Sequence, residues 1–164
     1  SEAVTAALIG RSGLRFYNES FAERDTKFWT VGPRVDYRVL NWLSFTFSYL
    51  YERGLADGRQ ETQFADDISY YLHMVSVGTE FRLNSRLNLD LLYLHRRKTF
   101  TSGIIGDTHL DRKDTTHQGI AELRYHLSSA ATAMVSFQYG KRTSTNVLRD
   151  FNDTIISIGG QYRY

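Results

Sequence analysis

The 164-residue chain is long enough for one domain. No stretch approaches the ~18 consecutive apolar residues of a spanning helix. That excludes a helical membrane protein but not a barrel, whose alternating strands leave a weak hydropathy signal such as the mean of −0.40 found here. A net charge of +2 gives no basic surplus for nucleic acid, and without Cys there is no disulfide framework and no thiol chemistry.

A period of two, with one apolar and one polar parity, predicts eight strands near 6–17, 27–39, 42–53, 68–83, 87–98, 116–127, 131–142 and 154–164. The first is the least regular, with Leu8, Leu14 and Phe16 on one parity and Arg11 and Arg15 on the other. The second ends in Asp36-Tyr37-Arg38-Val39. The third, Leu43-Ser44-Phe45-Thr46-Phe47-Ser48-Tyr49-Leu50-Tyr51, alternates cleanly and runs into Glu52-Arg53. The fourth ends in Val77-Gly78-Thr79-Glu80-Phe81-Arg82-Leu83. The fifth begins Leu87-Asn88-Leu89-Asp90-Leu91-Leu92-Tyr93 and closes on His95-Arg96-Arg97-Lys98. The sixth carries Ile120-Ala121-Glu122-Leu123-Arg124-Tyr125, and the seventh runs from Ala131 to Tyr139 and then Lys141-Arg142. The last ends in Ile158-Gly159-Gly160-Gln161-Tyr162-Arg163-Tyr164.

Four of these strands share one ending: an acid or amide, an apolar residue, Arg, then an apolar residue. Three copies are followed by a short polar break, and Asn41, Ser85 and Ser129 within those breaks are spaced 44 residues apart. A fixed period of that size predicts repeated hairpins. Three connections are turns of about three residues; the other four are polar stretches of about nine or more, such as 54–67 and 99–115. Both termini then lie at the short-turn end. The single Pro suits a chain that is mostly hydrogen-bonded ladder.

The apolar parity is zoned. Leu87, Leu89 and Leu91 precede Tyr93; Ala131, Ala133 and Val135 precede Phe137 and Tyr139; Ile156 and Ile158 precede Tyr162 and Tyr164. Aromatics therefore collect near both strand ends with aliphatics between, as side chains do at two water–lipid interfaces. The expected girdle is Tyr37, Tyr49, Tyr51, Phe81, Tyr93, Tyr125, Tyr139, Tyr162 and Tyr164. The opposite parity is heavily charged. Arg34, Asp36, Arg38, Glu80, Arg82, Asp90, Glu122, Arg124, His126 and Arg163 fall on it, as do Leu92, Leu94 and Ile155. A soluble up-and-down barrel is the alternative, since alternation alone does not say which face meets water.

Within the charged parity, Asp36, Arg38, Glu80, Arg82, Asp90, Glu122, Arg124 and Arg163 form the expected interior ion-pair network. In a closed eight-stranded barrel such a network fills the lumen; in a wider one it is a selective constriction. Arg53, Arg97, Lys98, Lys141 and Arg142, with Arg96, are basic at the long-loop end and are candidates for contact with lipopolysaccharide phosphates, or else ordinary solvated strand ends. The loop Asp107-Thr108-His109-Leu110-Asp111-Arg112-Lys113-Asp114 holds three carboxylates and a His but lacks the spacing and glycine of a calcium loop. It reads as a solvated loop; no metal, cofactor or catalytic residue is expected.

The terminal strand, with its aromatic last residue, resembles the closing strand of bacterial outer-membrane β-barrels. The alternating strands and asymmetric connections carry that resemblance over essentially the whole chain. Strand endings such as Tyr93-Leu94-His95-Arg96-Arg97-Lys98 look like those of larger porin-like barrels, including cytochrome-sheathing porins, though no site residue is transferred from them. His126-Leu127-Ser128 resembles the His-x-Ser of outer-membrane lipid A deacylases, but it sits at a short turn and no Glu follows at a suitable place.

The resemblance implies an all-β, transmembrane antiparallel up-and-down β-barrel of about eight strands, with short periplasmic turns and long extracellular loops. It spans 1–164 as a single domain or as a segment of a larger barrel. It further implies location in a Gram-negative outer membrane, insertion by the barrel-assembly machinery through the C-terminal strand, and lipid, lipopolysaccharide or other membrane or periplasmic subunits as partners. No signal peptide is visible, so an exported protein is expected here as its mature form or a fragment. The leading functional expectation is a non-enzymatic, ion-paired barrel acting through its loops or outer wall. A porin-like pore or a segment of a wider barrel is the alternative, and a lipid-modifying enzyme the third.

Overall fold

The structure is a computed structural model that describes residues 3–17, 24–56 and 67–163. Eight strands follow in chain order: β1 (Ala3–Arg15), β2 (Thr26–Leu40), β3 (Leu43–Ala56), β4 (Tyr70–Arg82), β5 (Leu87–Phe100), β6 (Lys113–His126), β7 (Ala131–Ser144) and β8 (Phe151–Tyr162). Each lies within three residues of its expected bounds. Tyr164 lies outside the described residues. Every strand pairs antiparallel with its chain neighbours, giving one eight-stranded sheet in the order β1-β2-β3-β4-β5-β6-β7-β8. Among the described residues there is no α-helix; one 3₁₀ turn (Val147–Arg149) sits between β7 and β8.

The 44-residue repeat is visible in the turns. Asn84 Oδ1 accepts from the backbone N–H of Arg86 and Leu87, at 2.8 and 3.0 Å. Ser128 Oγ, 44 positions on, accepts in the same way from Ala130 and Ala131, at 3.2 and 3.0 Å. A short polar side chain that captures the N–H groups two and three residues ahead makes a tight turn independent of tertiary contacts.

Cross-strand register places the even-numbered residues of β2 to β7 on one face, save Leu40 beyond the β2–β3 register shift, together with the odd-numbered residues of β1 and β8. This is the charged face. Every buried residue in β2 to β7 lies on it: Thr26, Thr30, Gly32, Ser48, Glu52, Gly54, Tyr70, Phe100, Asp114 and Gly140. It is also the concave face. Arg11 on β1 reaches Glu52 on β3 across the intervening strand, at 3.1 Å. Glycines make room for rings lying on this face. Gly13 sits opposite Phe28 and Gly54 opposite Tyr70, and a Cβ at either glycine would overlap the ring.

The opposite, apolar face is exposed. On interior strands Val77, Leu91, Leu123 and Val135 are 43, 41, 41 and 47% accessible. On the two end strands Leu8 and Ile158 reach 78 and 84%. The difference is a missing flank: among the described residues β1 pairs only with β2, and β8 only with β7. Each end strand therefore carries one unpaired edge of backbone N–H and C=O groups.

Candidate functional site on the concave face

The charged face has two tiers. The first lies toward the short turns and contains the residues expected from the sequence. Arg34 grips Asp36 bidentately, Nε to Oδ2 and Nη2 to Oδ1 at 2.9 Å each, and Thr46 on β3 donates to the same carboxylate at 2.6 Å. Arg38, the expected partner, makes no ion pair among the described residues; the β2–β3 register shifts between Arg38 and Leu40, beside it. Arg82 lies 3.4 Å from Glu80. Arg124 pairs with Asp90 across the strand and lies 3.5 Å from Glu122. Glu80, Asp90 and Glu122 stand directly opposite one another on β4, β5 and β6. Like charges so placed repel, and Arg82 and Arg124 beside them offset this. Arg163 makes no ion pair among the described residues; it lines a cleft at this end with Gln161, Arg124 and His126. The tier is substantially wet, which limits what its pairs contribute.

The second tier lies toward the long loops and is dry. Glu52 accepts from Tyr70 Oη at 2.6 Å, Thr30 Oγ1 at 2.7 Å and Arg11 Nη2 at 3.1 Å. Arg11 also donates to Thr30 at 3.0 Å. One strand pair further on, Arg112 holds Asp114 bidentately through Nε and Nη2, at 3.0 and 2.8 Å. Arg142 donates to Asp114 Oδ2, and Ser144 Oγ donates to Oδ1 at 2.6 Å. Between these carboxylates, Lys98 Nζ lies over the rings of Tyr70 and Phe100, at 3.8 and 4.3 Å from their centroids. With Ile68, the two rings form the apolar core of the sheet.

This second tier was not anticipated from the sequence, although parity alone puts Glu52 on the charged face with Asp36. Its members lie far apart in the chain, and Asp114 reads as part of a polar loop. The five expected lipopolysaccharide-contact residues divide between the faces. Arg53, Arg97 and Lys141 are on the apolar face, with Arg53 stacked on Tyr71 at 3.8 Å. Lys98 and Arg142 belong to the dry tier, and Arg96 donates to Gln118 on the concave face at 3.3 Å.

The described girdle residues, Tyr37, Tyr49, Tyr51, Phe81, Tyr93, Tyr125, Tyr139 and Tyr162, all share the apolar face. At the long-loop end histidines join them. His73 packs against Tyr51 with centroids 5.3 Å apart and bonds Tyr49 Oη at 2.7 Å. His117 bonds Tyr93 Oη at 2.7 Å and packs against His95 at 4.8 Å. His95 and His117 face each other in register, and His73 lies opposite Arg97 on the same face.

Two smaller expectations are also placed. His126 Nδ1 bonds Thr132 Oγ1 at 2.9 Å, and Ser128 Oγ serves its turn, so the pair is not assembled as base and nucleophile. In the β5–β6 loop, the side chain of Asp107 is enclosed while its backbone stays partly exposed. Burial pushes its carboxyl up, but donation from Ser102 Oγ at 2.5 Å, from the backbone N–H of Asp67 and His109, and from the His109 ring holds it below the ordinary range. A carboxyl lowered by folding stabilises above its unfolded value, near ~3.8, and that contribution is lost as pH falls through the lowered one. The expected result is loop amide protection, read by hydrogen exchange at His109, that holds from pH 7 to about 5 and drops below about 4. Asp107→Asn should weaken it at neutral pH. No protein-family model, no curated protein and no solved structure matches the chain, so its function is argued from its own residues.

Proposed function

We propose that this chain is an arc of the wall of an outer-membrane β-barrel wider than eight strands, with its charged concave face lining a transport pore. The observation that carries this is the inverted burial. Everything buried within β2 to β7 lies on the polar face, while the apolar face, aliphatic in its middle and aromatic at both ends, is exposed. A water-soluble sheet does the opposite, and a sheet facing lipid does this. The two unpaired edges favour a wider barrel, because an edge left open in hydrocarbon is not viable. Further strands, from a second copy or from other sequence, complete it. On this reading Arg53, Arg97 and Lys141 meet lipopolysaccharide from the outer wall, and the terminal strand engages the assembly machinery. A closed eight-stranded barrel with a structural or binding role is the second reading, favoured by the dryness of the long-loop tier.

Planar-bilayer recording of the purified, membrane-inserted protein tests the proposal. Stepwise openings of one reproducible size are expected. Protein that inserts, as judged by protease protection, yet leaves the bilayer electrically silent would contradict a pore.

A further inference from the structure

We propose that the long-loop end of the concave face holds a phosphate-type oxyanion, carried by a soluble solute. The role as a solute station rests on the pore reading; the site itself does not.

A cavity of about 330 Å³ opens beside the dry tier, lined by Lys98, Arg112, Arg142 and Arg149, with Ile68 and Phe100 as its apolar part. Arg24 and His109 are also at its wall. Among the described residues, five cationic side chains and no carboxylate line it. Two carboxylates stand behind the lining: Asp107 bonds the His109 ring, and Asp114 binds Arg112 and Arg142 together, so its one negative charge is shared by two guanidiniums. That contact fixes the two planes side by side and leaves an excess of positive charge. The Nε of Arg142 is buried with no acceptor among the described residues. Lys98 is pinned by its two rings rather than by an acid.

Crowded, preorganised guanidinium and ammonium groups with spare N–H donors suit one ligand chemistry: a compact, multiply charged oxyanion that accepts several charge-assisted bonds. The volume lies near the lower end of small-ligand pockets. It suits a phosphate with bound water or a short phosphorylated solute. Its place on the concave face, away from the exposed apolar face, favours a soluble source over a lipid headgroup. The short-turn cleft also gathers Arg86, Arg124 and Arg163, but it is the wetter of the two: Arg124 there is 36% exposed and already held by Asp90.

The test is calorimetric titration of the detergent-refolded protein with inorganic phosphate at constant low ionic strength, with chloride as the reference anion. Saturable one-site binding is expected for phosphate and not for chloride. Arg142→Gln and Arg149→Gln should each weaken it at least tenfold, while Arg34→Gln, in the other tier, should leave it unchanged. Arg149 is exposed on the 3₁₀ turn, so its variant decides the matter even if Arg142→Gln fails to fold. Absence of saturable phosphate binding overturns the proposal, as does equal weakening by Arg34→Gln or none by Arg149→Gln. Lipopolysaccharide added to the same titration should not displace phosphate; displacement would reassign the site to lipid headgroups and overturn the soluble source. Phosphate binding by a protein silent in bilayers would sink the pore reading alone, and conductance without binding would sink this inference alone.

Discussion

Asp114→Ala is expected to destabilise the folded protein by roughly 3–5 kcal/mol, the range for removing one partner of a buried ion pair. Asp114 is 4% exposed and Arg112 6%, so the substitution strands a buried guanidinium, deprives Arg142 of its acceptor and leaves the Ser144 hydroxyl without one. Asp114→Asn, which keeps an acceptor oxygen, should lose less. The matching substitution in the other tier separates the two environments. Glu122 and Arg124 are 34 and 36% exposed, and Arg124 retains Asp90, so Glu122→Ala should cost no more than about 1 kcal/mol. Urea unfolding of refolded protein, followed by the fluorescence of Trp29 and Trp42, measures both. Similar losses in the two variants would mean that the tiers do not differ in hydration as described.

Gly32→Ala should be nearly as damaging. A Cβ at Gly32 would overlap the backbone carbonyl of Tyr49 and crowd the Leu50 Cα. Backbone cannot turn aside as a side chain can, so β2 and β3 must separate. The place is already weak: the β2–β3 ladder breaks off between Val31↔Tyr51 and Arg34↔Ser48, where Pro33 offers no N–H. Overpacking costs roughly 1–3 kcal/mol, and a backbone clash belongs at the top of that range or above it. Gly10→Ala is the control. Nothing lies within 4 Å of a Cβ there, so the change should be neutral or stabilising by up to about 1 kcal/mol through the unfolded chain. The same urea transitions decide; a midpoint for Gly32→Ala equal to that of Gly10→Ala would refute the close approach.

The strands were legible because alternation and turn chemistry are local, and the 44-residue spacing repeats them. The strand ends at the long loops were harder. β6 begins at Lys113, three residues before the alternation suggested, because Asp114 joins a buried network instead of leaving the sheet; β8 begins equally early, at Phe151, through its ladder with β7. The partner of Asp36 was ambiguous for a physical reason: Arg34 and Arg38 both lie two residues away on the same face, and only the register shift beside Arg38 separates them. The dry tier was hidden because its members meet only once the register is known: Thr30 faces Glu52, Gly54 faces Tyr70 and Lys98 faces Asp114. Alternation also says which face is polar but not how many strands complete the ring.

The central claim is that β1 and β8 are not partners, and the absence of native Cys makes it directly testable. Cysteines are introduced in pairs on the apolar faces of the two strands, Val4→Cys or Leu8→Cys with Ile156→Cys or Ile158→Cys, and membrane-inserted protein is oxidised. Antiparallel neighbours bring such residues to about 4.5–5.5 Å between Cβ atoms, within reach of a disulfide. The account predicts no intramolecular disulfide in any pair, while a control within the sheet, Val135→Cys with Ile158→Cys, which face each other in register, crosslinks readily. Rapid intramolecular bonding between β1 and β8 would show a closed eight-stranded barrel and contradict the wider wall.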